Sequence, residues 1–371
     1  MQIAQIAPLW ERVPPPAYGG IELVVSLLTD ELVRRGHDVT LFATGDSKTL
    51  AHLEPGCEKA LRCQGRLQPR NVMLPPDHIV YQQMQLSKVF HQADTFDIIH
   101  SHMDYAALPY AALSKTPVVH TLHYTFAPLM GQIFAQHRQQ NFVSISHSQR
   151  CPELDLNYVA TVYNAIAPDT FTVYPTPDEP PYLAFLGRLS AEKGPHLAIE
   201  IARRSGLPLK IAGKVDFENQ EFFEREIAPL IDHPQIEFVG EADHPTKNEL
   251  MGRAIATLFP ITWREPFGLV MVESMACGTP VIALNQGAAS EVIADGKTGF
   301  LCDSVEACVA AVPKVSALSR QRCRNHVEAN FSVGRMVDGY EAVYRQLLSD
   351  RSSPAGRIRR QRVAARHRRI A

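Results

Sequence analysis

The sequence has no long apolar run and no regular cysteine spacing. None of its 371 residues belongs to a stretch of eighteen or more apolar side chains, the length of a membrane-spanning helix. The first eight residues, MQIAQIAP, lack the basic start and the apolar segment of a secretory signal. Seven cysteines, an odd number without a Cys-x-x-Cys pair, argue against a disulfide framework or a zinc ribbon. We therefore expect a cytoplasmic protein.

Two short ligand-binding motifs are also missing. No predicted strand is followed by Gly-x-Gly-x-x-Gly, so a Rossmann dehydrogenase is disfavoured. No two aspartates are separated by a single residue, so the chain has no Asp-x-Asp motif. If the chain binds a diphosphate, we expect it to do so without a metal held by that motif.

The charged residues are spread unevenly along the chain. The net charge is −2, yet residues 351–371 contain eight arginines and no acidic side chain. The first 350 residues therefore carry 29 basic against 39 acidic side chains, a net of −10. The tail is either a solvated, poorly ordered terminus, which we favour, or an arm that makes peripheral contact with anionic lipid at the inner membrane face. Nucleic acid is disfavoured because the body is acidic and no aromatic side chain accompanies the arginines.

Length and composition indicate two α/β domains of ordinary size. The chain has 371 residues and 45% hydrophobic side chains. A strand from Gln2 to Ala7, a helix from about Glu22 to Arg35 and a strand from Asp38 to Ala43 form a βαβ unit, which implies a parallel sheet. Ligands bind at the carboxyl ends of strands in such sheets, so the loop containing Gly19 and Gly20 faces the binding edge.

The same pattern restarts after a proline-rich segment. Five prolines between Pro168 and Pro181 predict an extended linker, because proline removes helix donors and restricts its neighbour. We therefore expect a first domain at 1–167, a linker at 168–181, a second domain at 182–330, a helix at 331–350 and the basic tail at 351–371. Further strands are predicted at 96–99, 117–121, 142–145, 182–186, 207–213, 236–242, 255–261 and 281–283, and further helices at 195–204 and 219–231.

The stretch from Trp263 to Ala283, WREPFGLVMVESMACGTPVIA, combines a loop, a short helix and a buried strand. Pro266 suits a first helical turn, so the helix is predicted to begin near Phe267. A helix N-terminus can hold a phosphate, and two carboxylates beside it, Glu265 and Glu273, suit the hydroxyl groups of a sugar or ribose. The spacing alone is more typical of two surface carboxylates, and only the whole string favours a site.

A second candidate loop follows the strand that opens the second domain. It contains Arg188 and Lys193 within the string GRLSAEKG, so both cations can converge on one group at the carboxyl end of that strand. A rigid guanidinium and a mobile ammonium together suit a diphosphate. An arginine and a lysine in an ordinary loop would instead be solvated.

These strings together resemble family 4 glycosyltransferases, which are retaining, nucleotide-sugar-dependent enzymes of the GT-B fold. The resemblance implies two Rossmann-like domains with parallel sheets facing across an interdomain cleft, with the acceptor on the first and the donor on the second. It also implies that the final helix returns to the first domain. It covers residues 1 to about 348 and is most specific at 187–194 and 265–283. It departs from the family pattern at Ala165 and at Ala288, beside the matched acid Glu291.

The resemblance assigns roles to individual residues. It implies that Glu265 contacts the transferred sugar and that Glu273 contacts the nucleotide ribose. Arg188 and Lys193 stabilise the departing nucleotide. The remaining implied donor-binding residues are Gly19 and Gly20 in the first loop, Val239 and Gly240 beside the base, and Phe267, Gly268 and Leu269 at the helix start.

Histidines follow two predicted strands of the first domain. His100, His102 and Asp104 alternate in IIHSHMD, and His120 and His123 stand in VVHTLHY. Ordinary hydrogen-bonded histidines, sugar or acceptor contacts, and a metal site are the three interpretations, of which the metal site is the weakest. By resemblance, His123 lies near the donor sugar, and His120 is a weaker candidate.

We therefore predict a retaining hexosyltransferase that uses a nucleotide sugar, with neither cofactor nor metal. UDP-glucose is the working choice of donor because the family uses it widely, and the acceptor, a glycan, lipid or small molecule, is not readable. The alternatives are a GT-B sugar-nucleotide epimerase or phosphorylase and a non-catalytic nucleotide-sugar binding protein.

Overall fold

The computed structural model describes residues 1–16, 19–64, 77–125, 128–231 and 233–352. Most of the basic tail, on which the lipid-contact hypothesis depends, lies outside these residues. Among the helices that are described, none is long and apolar enough to cross a membrane.

The first half of the chain is built on a seven-stranded parallel sheet in the order β3-β2-β1-β4-β5-β6-β7. The inner strands are buried on both faces, because helices cover each side of a parallel sheet. Its strands are β1 (Gln2–Ile6), β2 (Asp38–Thr44), β3 (His52–Cys57), β4 (Ile98–Ser101), β5 (Val118–Leu122), β6 (Asn141–Ser144) and β7 (Tyr158–Thr161).

The second half repeats this plan with six parallel strands in the order β10-β9-β8-β11-β12-β13. The predicted class, two Rossmann-like halves with parallel sheets, is confirmed. The strands are β8 (Leu183–Leu186), β9 (Leu209–Ala212), β10 (Ile236–Gly240), β11 (Ala256–Phe259), β12 (Val281–Leu284) and β13 (Gly299–Cys302).

Thirteen α-helical segments within the described residues flank these sheets. A π-helical turn at Phe223–Ile227 joins two of them. They are α1 (Gly20–Arg34), α2 (Asp77–His91), α3 (Leu108–Ala111), α4 (Pro128–Gln136), α5 (Pro195–Ser205), α6 (Gln220–Phe222), α7 (Ala228–Ile231), α8 (His244–Gly252), α9 (Leu269–Ala276), α10 (Ala289–Val292), α11 (Val305–Ala311), α12 (Arg320–Asn330) and α13 (Val333–Ser352).

The last helix packs on the first half of the chain. Tyr340 and Tyr344 of α13 are completely buried in a core with Ile3 of β1 and Leu28 of α1. The chain reaches α13 beside its earlier crossing, where the Ile166 amide donates to the Phe331 carbonyl at 3.1 Å. The two connections between the halves therefore run side by side.

The proline-rich segment at 168–181 packs on the second half. Phe171 is buried in the second-half core, and the Tyr174 amide donates to the carbonyl of Cys277 at 3.1 Å. The segment is thus held to the body that follows it in the chain.

Candidate active site

A cleft of about 770 Å³ lies between the two halves. It is bounded by the loops after β1, β5, β8 and β11, which leave their sheets at the carboxyl ends of the strands. Ten of the twelve residues proposed from the sequence line it: Gly19, Gly20, His123, Arg188, Lys193, Glu265, Phe267, Gly268, Leu269 and Glu273.

The helix N-termini of both halves reach this cleft. Gly20 is the first residue of α1, and Leu269 is the first residue of α9. A Cβ atom built on Gly20 would lie 3.3 Å from Leu269 Cδ1, so the absence of a side chain lets the two starts approach closely. Two sets of unpaired N–H groups therefore face one space, which favours an anion there.

The predicted start of α9 near Phe267 is wrong by two residues. Gly268 adopts a left-handed conformation with φ 84°, and the helix begins only at Leu269. Phe267 turns into the core, where its side chain is 2% exposed. Pro266 predicted an immediate helix start, but the turn at Gly268 moves the first helical residue to Leu269.

Lys193 and Glu265 face each other on the second-half wall of the cleft. Lys193 Nζ donates to Glu265 Oε2 at 2.5 Å, and it lies 5.2 Å from the centre of the Trp263 ring. The two side chains are only 16% and 12% exposed. A cation held this way is positioned for an anionic ligand, while the carboxylate next to it suits a hydroxyl group.

Arg188 lies on the same wall and retains donor capacity. One of its terminal nitrogens lies 3.3 Å from Glu192 Oε1, which also accepts from the Ser190 hydroxyl at 2.6 Å. Among the described residues, Arg188 Nε is buried and has no hydrogen-bond partner. A ligand that accepts hydrogen bonds at this point would satisfy it.

Glu273 is paired with a lysine that the sequence did not single out. Lys247, in the first turn of α8, donates to Glu273 Oε1, and both side chains are largely buried. No motif surrounds Lys247 in HPTKNEL, so its role depends on how α8 packs beside α9. Lys247 thus neutralises the charge of Glu273, the second carboxylate of the stretch from Trp263 to Ala283.

The first half contributes two acidic side chains, which the sequence analysis also missed. Glu22, in the first turn of α1, and Glu11 are both 5% exposed, and Arg62 pairs with Glu11 at 2.8 Å. Burial raises the pKa of Glu22 to about 7, and the negative charge of Glu11 adds to this shift. Trp10 lies at the mouth with 38% exposure. The only sequence signal for Glu22 was its position at the start of a helix.

His123 lies at the base of the cleft and His120 does not. His123 belongs to a buried chain of polar groups and is 7% exposed, and burial lowers its pKa to about 3. His120 is completely buried against Phe142, with its pKa lowered to about 4 by burial. The described residues contain no group of three or more His, Cys, Asp or Glu side chains arranged to hold a metal.

The structure does not place Val239 and Gly240 on the cleft wall. Val239 is 39% exposed near the end of β10, and the Gly240 carbonyl accepts from Gly213 in the neighbouring strand. The next two residues, Glu241 and Ala242, line the cleft instead. The two residues proposed beside the base therefore lie two positions before the ones that line the cleft, and the strand, predicted to reach Ala242, ends at Gly240.

Glu291 joins the two halves on one side of the cleft. Its carboxylate accepts from the backbone amides of His147 at 2.7 Å and Ser148 at 2.6 Å, and from the Tyr163 hydroxyl at 3.0 Å. Burial and the neighbouring carboxylate raise the pKa of Tyr163 to about 12. Two of these bonds connect α10 of the second half with the loop after β6, and the third connects it with the segment after β7.

Solved structures share this two-halved arrangement. Sucrose-phosphate synthase from Thermosynechococcus elongatus superimposes with a TM-score of 0.74 at 19% identity, over 94% of this chain and 99% of that one. Anabaena HepE, solved with UDP and glucose, gives 0.69 at 19% identity, over 93% and 100% of the two chains. These likenesses show that the chain has the GT-B fold.

Family models cover both halves of the chain. The model for Glycosyltransferase Family 4 matches residues 18–165, and the model for Glycosyl transferases group 1 matches residues 168–330. The glycogen synthase of Mycobacterium tuberculosis is 28% identical over 85% of this chain and 87% of its own length. The chain belongs to the family 4 glycosyltransferases.

Proposed function

We propose that this enzyme transfers a hexosyl group from a nucleotide sugar to an acceptor bound on the first half, with retention of configuration. The observation that carries the proposal is the meeting of Arg188, Lys193 and Glu265 in one cleft with the start of α9. Two chain segments distant in sequence, the loop at 187–194 and the stretch that begins at Trp263, supply these groups. A random distribution of surface charges would not bring them together.

The donor diphosphate fits the cationic side of this cleft. Breaking the anomeric bond builds negative charge on the β-phosphate, so Lys193, Arg188 and the N–H groups at Leu269 stabilise the transition state more than the ground state. Glu265 then accepts hydrogen bonds from sugar hydroxyls, and Glu273 accepts from the ribose. For retention, the acceptor attacks from the face that the phosphate leaves, and that phosphate takes the acceptor proton.

UDP-glucose is the donor that we propose to test first. HepE, whose fold is shared, was solved with UDP and glucose. A thermal-shift series with UDP-, ADP- and GDP-sugars identifies the base, and the sugar then follows from turnover. We expect one nucleotide to raise the melting temperature clearly more than the other two.

The catalytic test uses Lys193→Ala and Glu265→Gln. Removing a cation or an acceptor that acts on the transition state should lower kcat by roughly 10²- to 10³-fold. Lys297→Ala and Glu237→Gln are matched controls, because both of those side chains lie exposed on the same half. NMR of the product reports the anomeric configuration.

Three outcomes would contradict the proposal. Turnover unchanged in both active-site variants would remove the assigned residues from the reaction. Binding without turnover on any acceptor panel would indicate a nucleotide-sugar binding protein. Release of a rearranged donor, or of a sugar phosphate when inorganic phosphate is supplied, would indicate an epimerase or a phosphorylase.

A further inference from the structure

A continuous chain of buried polar groups runs from α13 to the base of the cleft. His102 Nδ1 lies 2.9 Å from His123 Nε2, and His102 Nε2 lies 3.1 Å from Gln5 Oε1. Gln5 Nε2 donates to the Tyr344 hydroxyl at 3.2 Å, and this hydroxyl lies 2.7 Å from His100 Nδ1. All five side chains are at least nine-tenths buried. Solvent therefore does not reach the hydrogen bonds between these five side chains, and it cannot supply or remove protons there.

The direction of every hydrogen bond in this chain follows from the Gln5 amide. An amide oxygen can only accept, so His102 Nε2 carries a proton and donates it to Gln5 Oε1. Burial keeps His102 neutral by lowering its pKa well below the ordinary value, so its Nδ1 has no proton and accepts. His123 Nε2 must then be the donor of the 2.9 Å bond.

The other half of the chain is consistent with this direction. The Gln5 amide nitrogen donates to the Tyr344 hydroxyl, which leaves that hydroxyl free to donate to His100 Nδ1. His100 Nε2 then carries the proton and donates to Thr121 Oγ1 at 2.7 Å. Each hydrogen-bond donor in this part of the chain of polar groups is therefore paired with an acceptor.

The last nitrogen of the chain is open to the cleft. The His123 side chain lines the cleft. Its Nε2 is used by His102, and among the described residues Nδ1 has no hydrogen-bond partner. Because a neutral imidazole carries one proton, a proton on Nε2 leaves a lone pair on Nδ1.

We propose that Gln5 and His102 are positioning residues that fix His123 in the Nε2–H tautomer, so that His123 Nδ1 accepts a hydrogen bond from a substrate hydroxyl. The inference rests on the proposed function for the identity of the substrate as a sugar. It assigns His123 the role of an acceptor and excludes a role as a proton donor to the leaving group. The reacting centre then receives its protons from the substrates alone.

The first experiment measures the tautomer directly and needs no turnover. Long-range ¹H–¹⁵N spectra of the full chain labelled at histidine, with His123→Asn for assignment, should show His102 and His123 as neutral Nε2–H tautomers from pH 6 to 8. A neutral Nδ1–H pattern for His123 would show that the Gln5 amide is turned the other way, and it would overturn the proposal. An imidazolium pattern would do so as well.

Gln5→Leu tests whether the fixed tautomer depends on this chain. We expect the His123 signals to report a mixture of tautomers and kcat to fall about tenfold, the loss for one weakened hydrogen bond. Gln85→Leu is the matched control, because Gln85 is a buried glutamine of the same half whose partners among the described residues are the backbone carbonyls of Ala7 and Phe42. It should lower stability and leave the His123 spectrum unchanged. A His123 spectrum unaffected by Gln5→Leu would contradict the positioning role.

Substrate analogues test the acceptor role of Nδ1. Fluorine cannot donate a hydrogen bond, so at the sugar position that meets His123 the deoxy and fluoro donors should both bind about tenfold more weakly than the parent. In His123→Ala this penalty should disappear at that position alone. The proposal would be contradicted if, at every sugar position where the deoxy sugar nucleotide binds more weakly than the parent, the fluoro sugar nucleotide binds as tightly as the parent. Failure of the transferase proposal would appear separately, as absent turnover with the tautomer pattern intact.

Discussion

At the level of single residues, charged side chains of the cleft are held in pairs, Lys193 with Glu265 and Lys247 with Glu273. Lys193 and Glu265 were singled out separately, yet the 2.5 Å contact between them was not. Lys247 was not predicted at all, because a lone lysine on a short helix has no sequence context that distinguishes it. Motifs therefore located residues that line the cleft, and the packing of α8 against α9 supplied the compensating charge.

The buried pair of Lys247 and Glu273 gives the first prediction. Lys247→Met leaves the Glu273 carboxylate buried without a cation, so it should lower the free energy of unfolding by about 3 kcal/mol. The double variant with Glu273→Gln should recover most of that loss, since no isolated charge remains. Urea unfolding of the four proteins measures both effects. Equal free energies of unfolding for Lys247→Met and for the double variant would contradict the pairing.

Glu22 gives a prediction for pH. Its pKa of about 7 lies above the 4.5 of the unfolded chain, so its contribution to stability is complete below pH 4.5 and is lost as pH rises through 7. Relative to Glu22→Gln, the wild type should lose about 3 kcal/mol between pH 4.5 and pH 8. Unfolding midpoints of both proteins, followed by the fluorescence of Trp10 and Trp263, provide the measurement. Parallel pH profiles would show that Glu22 titrates normally.

At the level of elements, inner strands were easier to predict than edge strands. Every inner strand of both sheets was expected from its apolar run, and so was the edge strand β10. The three missed strands, β3, β7 and β13, are all sheet edges. β3 contains Pro55 and Gly56, which are tolerated only where one side of the strand needs no partner. An edge strand buries less surface, so its sequence carries a weaker apolar signal.

The loop that carries Glu265 gives an element-level prediction. A Cβ atom on Gly287 would lie 2.3 Å from both the amide nitrogen and the carbonyl oxygen of Glu265. Gly287→Ala should therefore displace that carboxylate and lower kcat at least tenfold. Gly296→Ala is the matched control, because Gly296 also has a positive φ and a Cβ there meets nothing within 4 Å. Similar kcat losses in both variants would indicate backbone strain in place of displacement.

At the level of the whole molecule, the relative position of the halves depends on contacts that cross the cleft. Glu291 is the clearest, with two backbone amides and one hydroxyl of the first half bound to its carboxylate. Arg264 adds a bond to the Arg150 carbonyl at 2.8 Å. The sequence indicated Glu291 only as a family match, because its partners lie more than 120 residues away.

Removing the Glu291 carboxylate should loosen the attachment of the second half to the first. Glu291→Ala is expected to increase the radius of gyration in small-angle X-ray scattering and to raise KM for the donor several-fold, since charge-assisted hydrogen bonds contribute about 1.5–3 kcal/mol each. Glu249→Ala, which removes an exposed ion pair within the second half, is the control. An unchanged scattering profile and KM in Glu291→Ala would show that other contacts hold the halves together.

The packing of α13 on the first sheet has a consequence for biosynthesis. Tyr340 and Tyr344 complete the core around Ile3 and Leu28, so that core cannot close until α13 has left the ribosome. The second half has all of its strands before α13 emerges, and it can reach its native state earlier. The first half is therefore translated before the second half but completes its core after it, and in the interval its unfinished apolar surface is the one that chaperones must protect.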